Sequence, residues 1–382
     1  MADPIAIETV LSHAGLLSDI STGAISTPIY QTATFGHPAL GQSTGYDYSR
    51  TNNPTRKVLE NVLAKLECGV AASTFASGMA AITSLQVLFK PGDKIVISDD
   101  LYGGTYRLFE KIFKPWGLQT EYLDFSDFEK VKKLTDTQIR AFFIETPTNP
   151  LMKIIDLKKT IAFAKSKKIL TIIDNTFMTP YCQRPLSLGA DIVVHSGTKY
   201  LSGHNDTLFG AVISKNAAIA EKIAFTQNAT GGIVSPFDSW LAIRGIKTLA
   251  VRIDRAQENA TTVAHWLTKR KGIRQVYFPG LSSHPGRKTH FGQASGPGAI
   301  ISFRLTDKKA VRRIINSVKI ITFAESLGGV ESLITYPVMQ THADIPESLR
   351  KLIGITDDLL RLSIGIENCN DLIADLDNAI VL

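Results

Sequence analysis

The stretch ILTIIDNTFMTPYCQRPLSLGADIVVHSGTKYLSG, residues 169–203, decides how the chain is expected to fold. It contains two short apolar, β-branched runs, residues 169–173 and 190–194, and each run ends directly in polar residues. Runs of this length and composition are typical of buried strands in a parallel sheet. Ligands of such sheets bind just beyond the carboxyl ends of the strands. The polar residues expected around one crevice are therefore Asp174, Ser196, Thr198 and Lys199.

These side chains carry the groups that pyridoxal 5'-phosphate needs from a protein. A carboxylate such as Asp174 can hold a protonated ring nitrogen, the hydroxyls can bind a phosphate, and the amine of Lys199 can form an imine. The spacing excludes a Walker A loop, and the lack of a strand running into GxGxxG disfavours a dinucleotide site. The sequence therefore predicts pyridoxal phosphate as the cofactor.

The pattern on both sides of this stretch alternates between strands and helices. Strands are predicted over residues 94–98, 119–123, 141–145, 169–173, 190–194 and 210–214, with helices over 55–67, 77–89, 102–113, 127–134 and 157–168 and from 216. Such alternation implies right-handed crossovers and a mostly parallel sheet. The strand ends expected on one rim are residues 99–102, 145–149, 174 and 196–199.

After a helix predicted over residues 248–269, the pattern changes to that of a smaller α+β unit. Strands are predicted over 298–305, 320–324 and 360–365, with helices over 308–318 and 371–380. The predicted fold class is α/β, with a large, mostly parallel cofactor domain and a smaller α+β carboxy-terminal domain. The predicted division is an amino-terminal arm over residues 1–50, the large domain over 51–247 and the small domain over 248–382.

Composition describes an ordinary globular protein, with 44% hydrophobic and 20% charged residues in 382. The net charge of +7 comes from scattered lysines and arginines, so we expect neither a nucleic-acid partner nor a membrane partner. Cys68, Cys182 and Cys369 show no CxxC spacing, and no secretory signal peptide is visible, so a cytoplasmic location is expected. His195 and His204 lack a supporting ligand pattern, and no metal site is predicted.

Several motifs together resemble the Cys/Met-metabolism family of pyridoxal-phosphate enzymes. They are YDYSR with NPTR, SGMAA, LYGGT, ETPTNP, DNTF, SGTKYLSGHND, AESLGGVESL and LLRLSIGIEN, and they occur in the family's order over nearly the whole chain. The resemblance implies fold type I and a homotetramer built from two catalytic dimers. Its members act on small sulfur amino acids, so the expected activity is that of a carbon–sulfur lyase or a related synthase.

The resemblance also implies a role for each matching residue. Lys199 resembles the Schiff-base lysine, Asp174 the partner of the pyridinium nitrogen, and Tyr102 the residue that stacks on the pyridine ring. The residues expected to hold the cofactor phosphate are Gly78, Met79, Ser196 and Thr198, with Tyr48 and Arg50 reaching it from the neighbouring subunit. Those expected to bind the substrate are Arg361, Ser326 and Asn149, which would anchor its α-carboxylate, and Glu325.

The individual reaction depends on fewer positions. Glutamate at position 325 resembles the γ-synthases and γ-lyases of the family, whereas its β-lyases tend to carry an apolar residue there. No cysteine falls near the expected substrate pocket, which argues against methionine γ-lyase. We therefore expect γ-elimination of cystathionine to cysteine, 2-oxobutanoate and ammonia, with cystathionine β-lyase and cystathionine γ-synthase left as alternatives.

Overall fold

The computed structural model describes residues 5–381 of the chain, and within that part the strands form two sheets. The strands of the larger sheet are β1 (Ala71–Phe75), β2 (Lys94–Ser98), β3 (Gln119–Leu123), β4 (Ile139–Glu145), β5 (Leu170–Asp174), β6 (Ile192–Ser196) and β7 (Gly210–Ser214). The strands of the smaller sheet are β8 (Ile273–Tyr277), β9 (Ile300–Leu305), β10 (Thr322–Phe323), β11 (Leu333–Thr335) and β12 (Leu359–Ser363).

Helices surround both sheets. They are α1 (Ile7–Ser12), α2 (Pro54–Glu67), α3 (Gly78–Ser84), α4 (Gly103–Leu108), α5 (Lys114–Trp116), α6 (Phe128–Lys132), α7 (Leu157–Ser166), α8 (Thr179–Cys182), α9 (Ala217–Thr230), α10 (Pro236–Ile246), α11 (Leu249–Thr268), α12 (Arg287–Phe291), α13 (Ala310–Ser317), α14 (Glu347–Ile353) and α15 (Cys369–Val381). In the described part of the chain, no helix is long and apolar enough to cross a membrane.

The larger sheet has the order β1-β7-β6-β5-β4-β2-β3. Strands β2 to β6 run parallel to one another, whereas β7 is antiparallel to both of its neighbours. In the smaller sheet, ordered β10-β11-β12-β9-β8, only the β10–β11 pair is parallel. The predicted fold class, a mostly parallel α/β sheet followed by a smaller α+β unit, is confirmed.

Local sequence explains why the elements begin where they do. Asn53 caps α2 by accepting the Thr55 N–H at 3.0 Å, and Pro54 suits the first turn because its missing N–H has no partner there. Ser77 caps α3 in the same way, since its hydroxyl accepts the Ala80 N–H at 3.1 Å. These two caps determine where the polar loops before α2 and α3 meet the helices.

The two faces of the larger sheet are buried in two cores. Phe142 and Ile144 of β4 point into one core, and Phe143 between them points into the other, because side chains alternate along a strand. The first core is continuous with residues of the smaller sheet such as Phe303 and Leu360. This shared core packs the smaller sheet against the larger one and so brings the residues after β10 to the rim of the larger sheet.

Several element predictions were incomplete. The strand predicted over residues 320–324 pairs only over Thr322–Phe323, and the helix predicted over 102–113 becomes a π-helical turn at Phe109–Phe113. Strands β1, β8 and β11 were missed because they are short or only partly apolar, so their burial comes from pairing with distant strands. The boundaries at residues 50 and 247 stay a prediction.

Candidate active site

The carboxyl ends of β4, β5 and β6 meet the start of α3 and the smaller sheet around a cavity of about 340 Å³. Of the thirteen candidate site residues, eleven line it: Gly78, Met79, Tyr102, Asn149, Asp174, Ser196, Thr198, Lys199, Glu325, Ser326 and Arg361. Four other pockets, of about 360 to 860 Å³, are larger, but none of them is lined by Lys199, Asp174 or Arg361. The predicted convergence of the strand ends on one rim is therefore observed.

Lys199 lies three residues beyond β6 and points into the cavity. Its Nζ donates a hydrogen bond of 2.8 Å to Oγ of Ser326. Burial, and next the charge of Arg361, lower the pKa of Lys199 to about 8. The amine is still mostly protonated at neutral pH, but more of it is unprotonated than in an exposed lysine, and the unprotonated form is the one that acts as a nucleophile or a base.

Ser326 is held in an unusual backbone conformation beside that lysine. Its φ is +87°, in a region that residues with a side chain seldom adopt. The carbonyl of Ser326 accepts a 2.9 Å hydrogen bond from Nη2 of Arg361. Arg361 therefore helps to hold Ser326 in the position from which its hydroxyl contacts Lys199.

Asp174 ends strand β5 as a buried carboxylate on the cavity wall. Its Oδ1 accepts the N–H of Thr176 at 3.0 Å, and among the residues described it makes no ion pair. Burial raises the pKa of Asp174, and the hydrogen bond from Thr176 partly offsets that effect. A cationic group bound in the cavity would compensate such a carboxylate.

Another part of the cavity wall is formed by the start of α3 and the loop after β6. A Cβ added to Gly78 would lie 2.9 Å from Cβ of Ser196, so only glycine lets these two segments approach so closely. The Thr198 hydroxyl donates to the Phe209 carbonyl at 3.3 Å and accepts the Phe209 N–H at 3.1 Å. Backbone and hydroxyl groups therefore form a small polar end that suits an anion.

Tyr102 covers the cavity from the loop that enters α4. Its backbone N–H donates to Oε2 of Glu145 at 3.1 Å. A Cβ on Gly104 would come within 2.4 Å of Cε1 of Tyr102, so the ring lies directly against the start of the helix. The LYGGT motif thus places an aromatic face at the cavity.

Arg361 is a buried cation on β12, with only 1% of its surface exposed. Its Nη1 donates to Oδ1 of Asn149 at 2.9 Å, and its Nη2 also donates to Oγ1 of Thr335 at 3.1 Å. Burial lowers the pKa of Arg361 to about 10, and within the described chain no carboxylate forms an ion pair with it. Because its partners are neutral, the guanidinium keeps its positive charge available and can donate hydrogen bonds to a carboxylate of a ligand.

Tyr48 and Arg50 do not line this cavity. Arg50 donates through Nη1 to the Asn228 carbonyl at 2.6 Å, and Tyr48 is exposed. Arg56 fixes the backbone of their segment, since its Nη1 and Nη2 donate hydrogen bonds to the carbonyls of Ser49 and Arg50 at 2.6 and 3.2 Å. Within one chain the two residues therefore lie on the surface.

The histidines serve hydrogen bonds inside the chain. Nε2 of buried His195 lies 2.7 Å from Oε1 of Glu67, which also accepts from Asn175. Nδ1 of His204 lies 2.7 Å from the Ser202 carbonyl. Between residues 5 and 381 there is no group of three or more His, Cys, Asp or Glu side chains that could hold a metal ion.

Two residues that sequence reasoning missed, Thr335 and His342, make hydrogen bonds that support the cavity wall. Thr335 binds Arg361, and Nε2 of His342 lies 3.1 Å and 2.9 Å from the carbonyls of Leu101 and Asn149. Both belong to a segment with no periodic pattern, so the sequence carries no signal for them and only the three-dimensional structure shows their contacts. Glu145 was recognised as a strand end but not as a partner of Tyr102.

The comparisons with known proteins agree with this geometry. Residues 8–381 match the family model described as Cys/Met metabolism PLP-dependent enzyme. The chain belongs to this family. It is 47% identical to the cystathionine gamma-lyase of Bacillus subtilis (strain 168), and also 47% identical to the cystathionine beta-lyase of Lactococcus lactis subsp. cremoris (strain MG1363). Each of these two alignments covers 98% of both chains.

A solved structure of cystathionine gamma synthase from Xanthomonas oryzae pv. oryzae, in complex with aminoacrylate and cysteine, is similar over almost its full length. The TM-score is 0.96 at 40% identity, with 99% of this chain and 98% of that chain covered. Relatives of nearly equal similarity thus carry three different reaction names. The Cys/Met-metabolism family and its dependence on pyridoxal phosphate are therefore shown, whereas similarity alone does not select one reaction.

The residues present fit the family's cofactor. The buried carboxylate of Asp174, which has no cationic partner in the described chain, suits a protonated ring nitrogen, and the polar end at Gly78 and Ser196 suits a phosphate. Lys199 lies on the same cavity wall with a lowered pKa, as a lysine that reacts with an aldehyde requires. The donor set thus matches the two ends and the reactive carbon of pyridoxal phosphate.

Proposed function

We propose that the chain is a cystathionine lyase that chiefly catalyses γ-elimination of L-cystathionine to L-cysteine, 2-oxobutanoate and ammonia. The observation that carries this proposal is Glu325 on the wall of the cavity that also contains Lys199 and Arg361. Glu325 is exposed there, and within the described residues no ion pair occupies its carboxylate. A free carboxylate at this position can meet an ammonium group of the substrate, as expected of a γ-type enzyme in this family.

The residues that we propose for the cofactor are those named from the sequence. Asp174 would hold the ring nitrogen, Tyr102 the ring face and Lys199 the aldehyde carbon. The phosphate would be held by Gly78, Met79, Ser196 and Thr198. When bound, pyridoxal phosphate supplies an electron sink for the carbanion formed at the substrate α-carbon.

Substrate binding is assigned to Arg361 and the residues bonded to it at the cavity. Arg361 would bind the α-carboxylate through its planar guanidinium, supported by Asn149 and Ser326, with which it already shares hydrogen bonds. This places the α-carbon near Nζ of Lys199, which takes up the α-proton in its unprotonated form. A γ-elimination also needs a proton removed from Cβ, and we propose the same lysine for that step because its amine lies on the cavity wall with a pKa lowered to about 8.

The alternatives are cystathionine β-lyase and cystathionine γ-synthase. They would use the same cofactor residues and differ in proton relays and in the residues that anchor the substrate. Methionine γ-lyase is less well supported, since none of Cys68, Cys182 and Cys369 is among the described residues that line the cavity.

Product analysis tests this choice. With cystathionine as substrate we expect mainly 2-oxobutanoate and cysteine, because the proposed enzyme breaks the Cγ–S bond. The two keto acids are separated and quantified after a fixed time, and an O-acylated homoserine with cysteine is assayed in parallel for γ-replacement. Differences of one or two pocket contacts shift such preferences by only about 10–200-fold, so a minor second product is expected.

The variant that tests the role of Glu325 in this assay is Glu325→Gln, which keeps the shape of the side chain and removes its charge. We expect it to weaken cystathionine turnover while leaving the visible spectrum of the cofactor unchanged. If pyruvate and homocysteine are the main products, the reaction is β-elimination and the proposed γ-elimination is wrong. If cystathionine is synthesised faster than it is cleaved, the main reaction is γ-replacement and the proposal is also wrong.

We also propose a homotetramer of two catalytic dimers, in a reducing cytoplasmic location that suits three free cysteines. Tyr48 and Arg50 lie on the surface of their own chain, as expected of residues that complete a neighbour's phosphate site. The same arm exposes large apolar side chains, among them Ile20 and Leu40 at 95% and 104% exposure. Such an arm is stabilised when a second copy covers it.

Subunit mixing tests the shared site. Arg50→Ala and Lys199→Ala subunits, each inactive alone, are exchanged in equal amounts. Roughly a quarter of the sites should recover, because half of randomly paired dimers are mixed and each mixed dimer rebuilds one site. The control mixture combines Asp174→Ala with Lys199→Ala. Both residues belong to one chain's site, so this mixture should stay inactive.

Subunit exchange is verified in both mixtures by mass-tagged chains. If exchange is complete and the Arg50→Ala mixture still shows no activity, Arg50 does not act across the subunit boundary.

A further inference from the structure

Glu145 is a buried acid beside Asp174 that the proposed reaction does not use. It ends β4, and the register of the parallel pair β4–β5 places it directly opposite Asp174. Residues opposite each other on neighbouring strands point to the same face, so two carboxyl groups face one cavity side by side. Two ionised carboxylates in this arrangement would repel each other strongly in a buried site.

The other charged groups around Glu145 compensate a negative charge on it only in part, because Arg361 lowers its pKa whereas Asp100 raises it. Asp100, on the loop after β2, is a further buried acid, and Arg361 on β12 is engaged with Asn149, Ser326 and Thr335. Within the part of the chain that the structure describes, Glu145 forms no ion pair. Burial first, and the charge of Asp174 next, raise the pKa of Glu145 well above its usual range.

One contact of Glu145 needs an oxygen acceptor and no charge. The backbone N–H of Tyr102 donates to Oε2 at 3.1 Å, and this bond holds the loop that carries the Tyr102 ring. An un-ionised carboxyl group keeps that acceptor. It also leaves its neighbour Asp174 free to carry the negative charge alone.

We propose that Glu145 is a positioning residue whose un-ionised carboxyl group anchors the Tyr102 backbone and leaves Asp174 as the single anion of the paired strand ends. This role rests on the proposed function of Asp174 as the partner of the cofactor's ring nitrogen. It adds a condition that the family motifs do not state: the site works because one of two adjacent acids stays protonated.

The test compares thermal unfolding of the wild type and Glu145→Gln, both saturated with pyridoxal phosphate, over a range of pH. Because the pKa of Glu145 is raised in the folded chain, ionising Glu145 costs more free energy in the folded than in the unfolded protein. The free energy of unfolding of the wild type therefore decreases as pH rises above the ordinary glutamate pKa of about 4.3. Glutamine keeps the Tyr102 acceptor and cannot ionise. We therefore expect the Tm of Glu145→Gln to exceed that of the wild type by an amount that grows from about pH 5 to pH 8.

Two further readouts complete the test. The infrared difference spectrum between wild type and Glu145→Gln should contain the carbonyl band of an un-ionised carboxylic acid at neutral pH. Pyridoxal phosphate should bind Glu145→Leu about tenfold more weakly than Glu145→Gln, because leucine removes the acceptor of the Tyr102 N–H and so releases the loop that carries the Tyr102 ring.

A Tm difference that stays constant or shrinks as pH rises would overturn the proposal. So would carboxylate bands alone in the infrared spectrum, or Glu145→Gln binding the cofactor as weakly as Glu145→Leu. If the leucine variant does not fold, the pH series and the infrared band still decide. Neither depends on which bond of cystathionine breaks, so a different reaction product would leave this result standing.

Discussion

Replacing Lys199 by alanine is expected to reduce turnover by about 10⁴-fold or more while the protein remains folded. The variant loses the amine that is proposed to bind the cofactor aldehyde and to take up the substrate α-proton, and such base catalysis alone contributes up to about 10⁴-fold. The wild type should be yellow and keep its cofactor on dialysis, and Lys199→Ala should release it. Far-ultraviolet circular dichroism and cystathionine turnover are measured on the same samples.

The matched control is Lys215→Ala. Lys215 directly follows β7, the neighbour of β6, but its Nζ donates to the Leu186 carbonyl at 3.3 Å and it does not line the cavity. We expect this variant to turn over cystathionine like the wild type. Borohydride reduction followed by peptide mapping identifies the bound lysine directly. A reduced adduct on any lysine other than Lys199 would refute the assignment.

Replacing Arg361 by leucine is expected to lower kcat/KM by about 10²–10³-fold. Removing one partner of a buried charged hydrogen bond costs about 2–5 kcal/mol. The loss should appear mainly as a higher KM for cystathionine, with part of the affinity recovered in Arg361→Lys because lysine restores the charge but not the two-pronged geometry. Steady-state kinetics measures kcat and KM for the wild type and for both variants.

Two controls separate binding from folding in this experiment. Arg304→Leu removes an arginine of the adjacent strand β9, which binds Asp358 and lies outside the cavity, so it should leave KM unchanged. A substrate analogue that lacks the α-carboxylate should react equally slowly with wild type and Arg361→Leu. If the variant discriminates against that analogue as strongly as the wild type does, Arg361 does not bind the carboxylate.

Much of the large sheet could be predicted from local pattern. Strands β2, β3 and β7 were predicted with their observed bounds, and β4, β5 and β6 within two residues. Apart from the edge strand β3, which is mostly polar and partly exposed, these strands contain apolar runs of four or five residues buried in the sheet, and such runs carry the signal in their own composition. The smaller sheet was predicted less well, because β10 and β11 contain two and three residues and depend on their partners.

The sequence by itself determined the cofactor side of the site. Asp174, Ser196, Thr198 and Lys199 follow strands that the pattern reveals, and strands in a parallel sheet must place their carboxyl ends on one rim. The family resemblance added Tyr102, Arg361 and Glu325. For the residues that follow these strands, a short stretch of chain is enough to predict that they share one rim, whereas Arg361 and Glu325 reach the cavity because the smaller sheet packs against the larger one.

Only the tertiary structure decided which of these side chains act on one another. The Lys199–Ser326 bond joins two sheets across 127 residues, and the Arg361–Asn149 bond joins them across 212. The pairing of Glu145 with Asp174 depends on β4 lying next to β5 in the correct register. Strand order, register and domain packing arise from the burial of the whole chain, and burial also changes the pKa values of the paired groups.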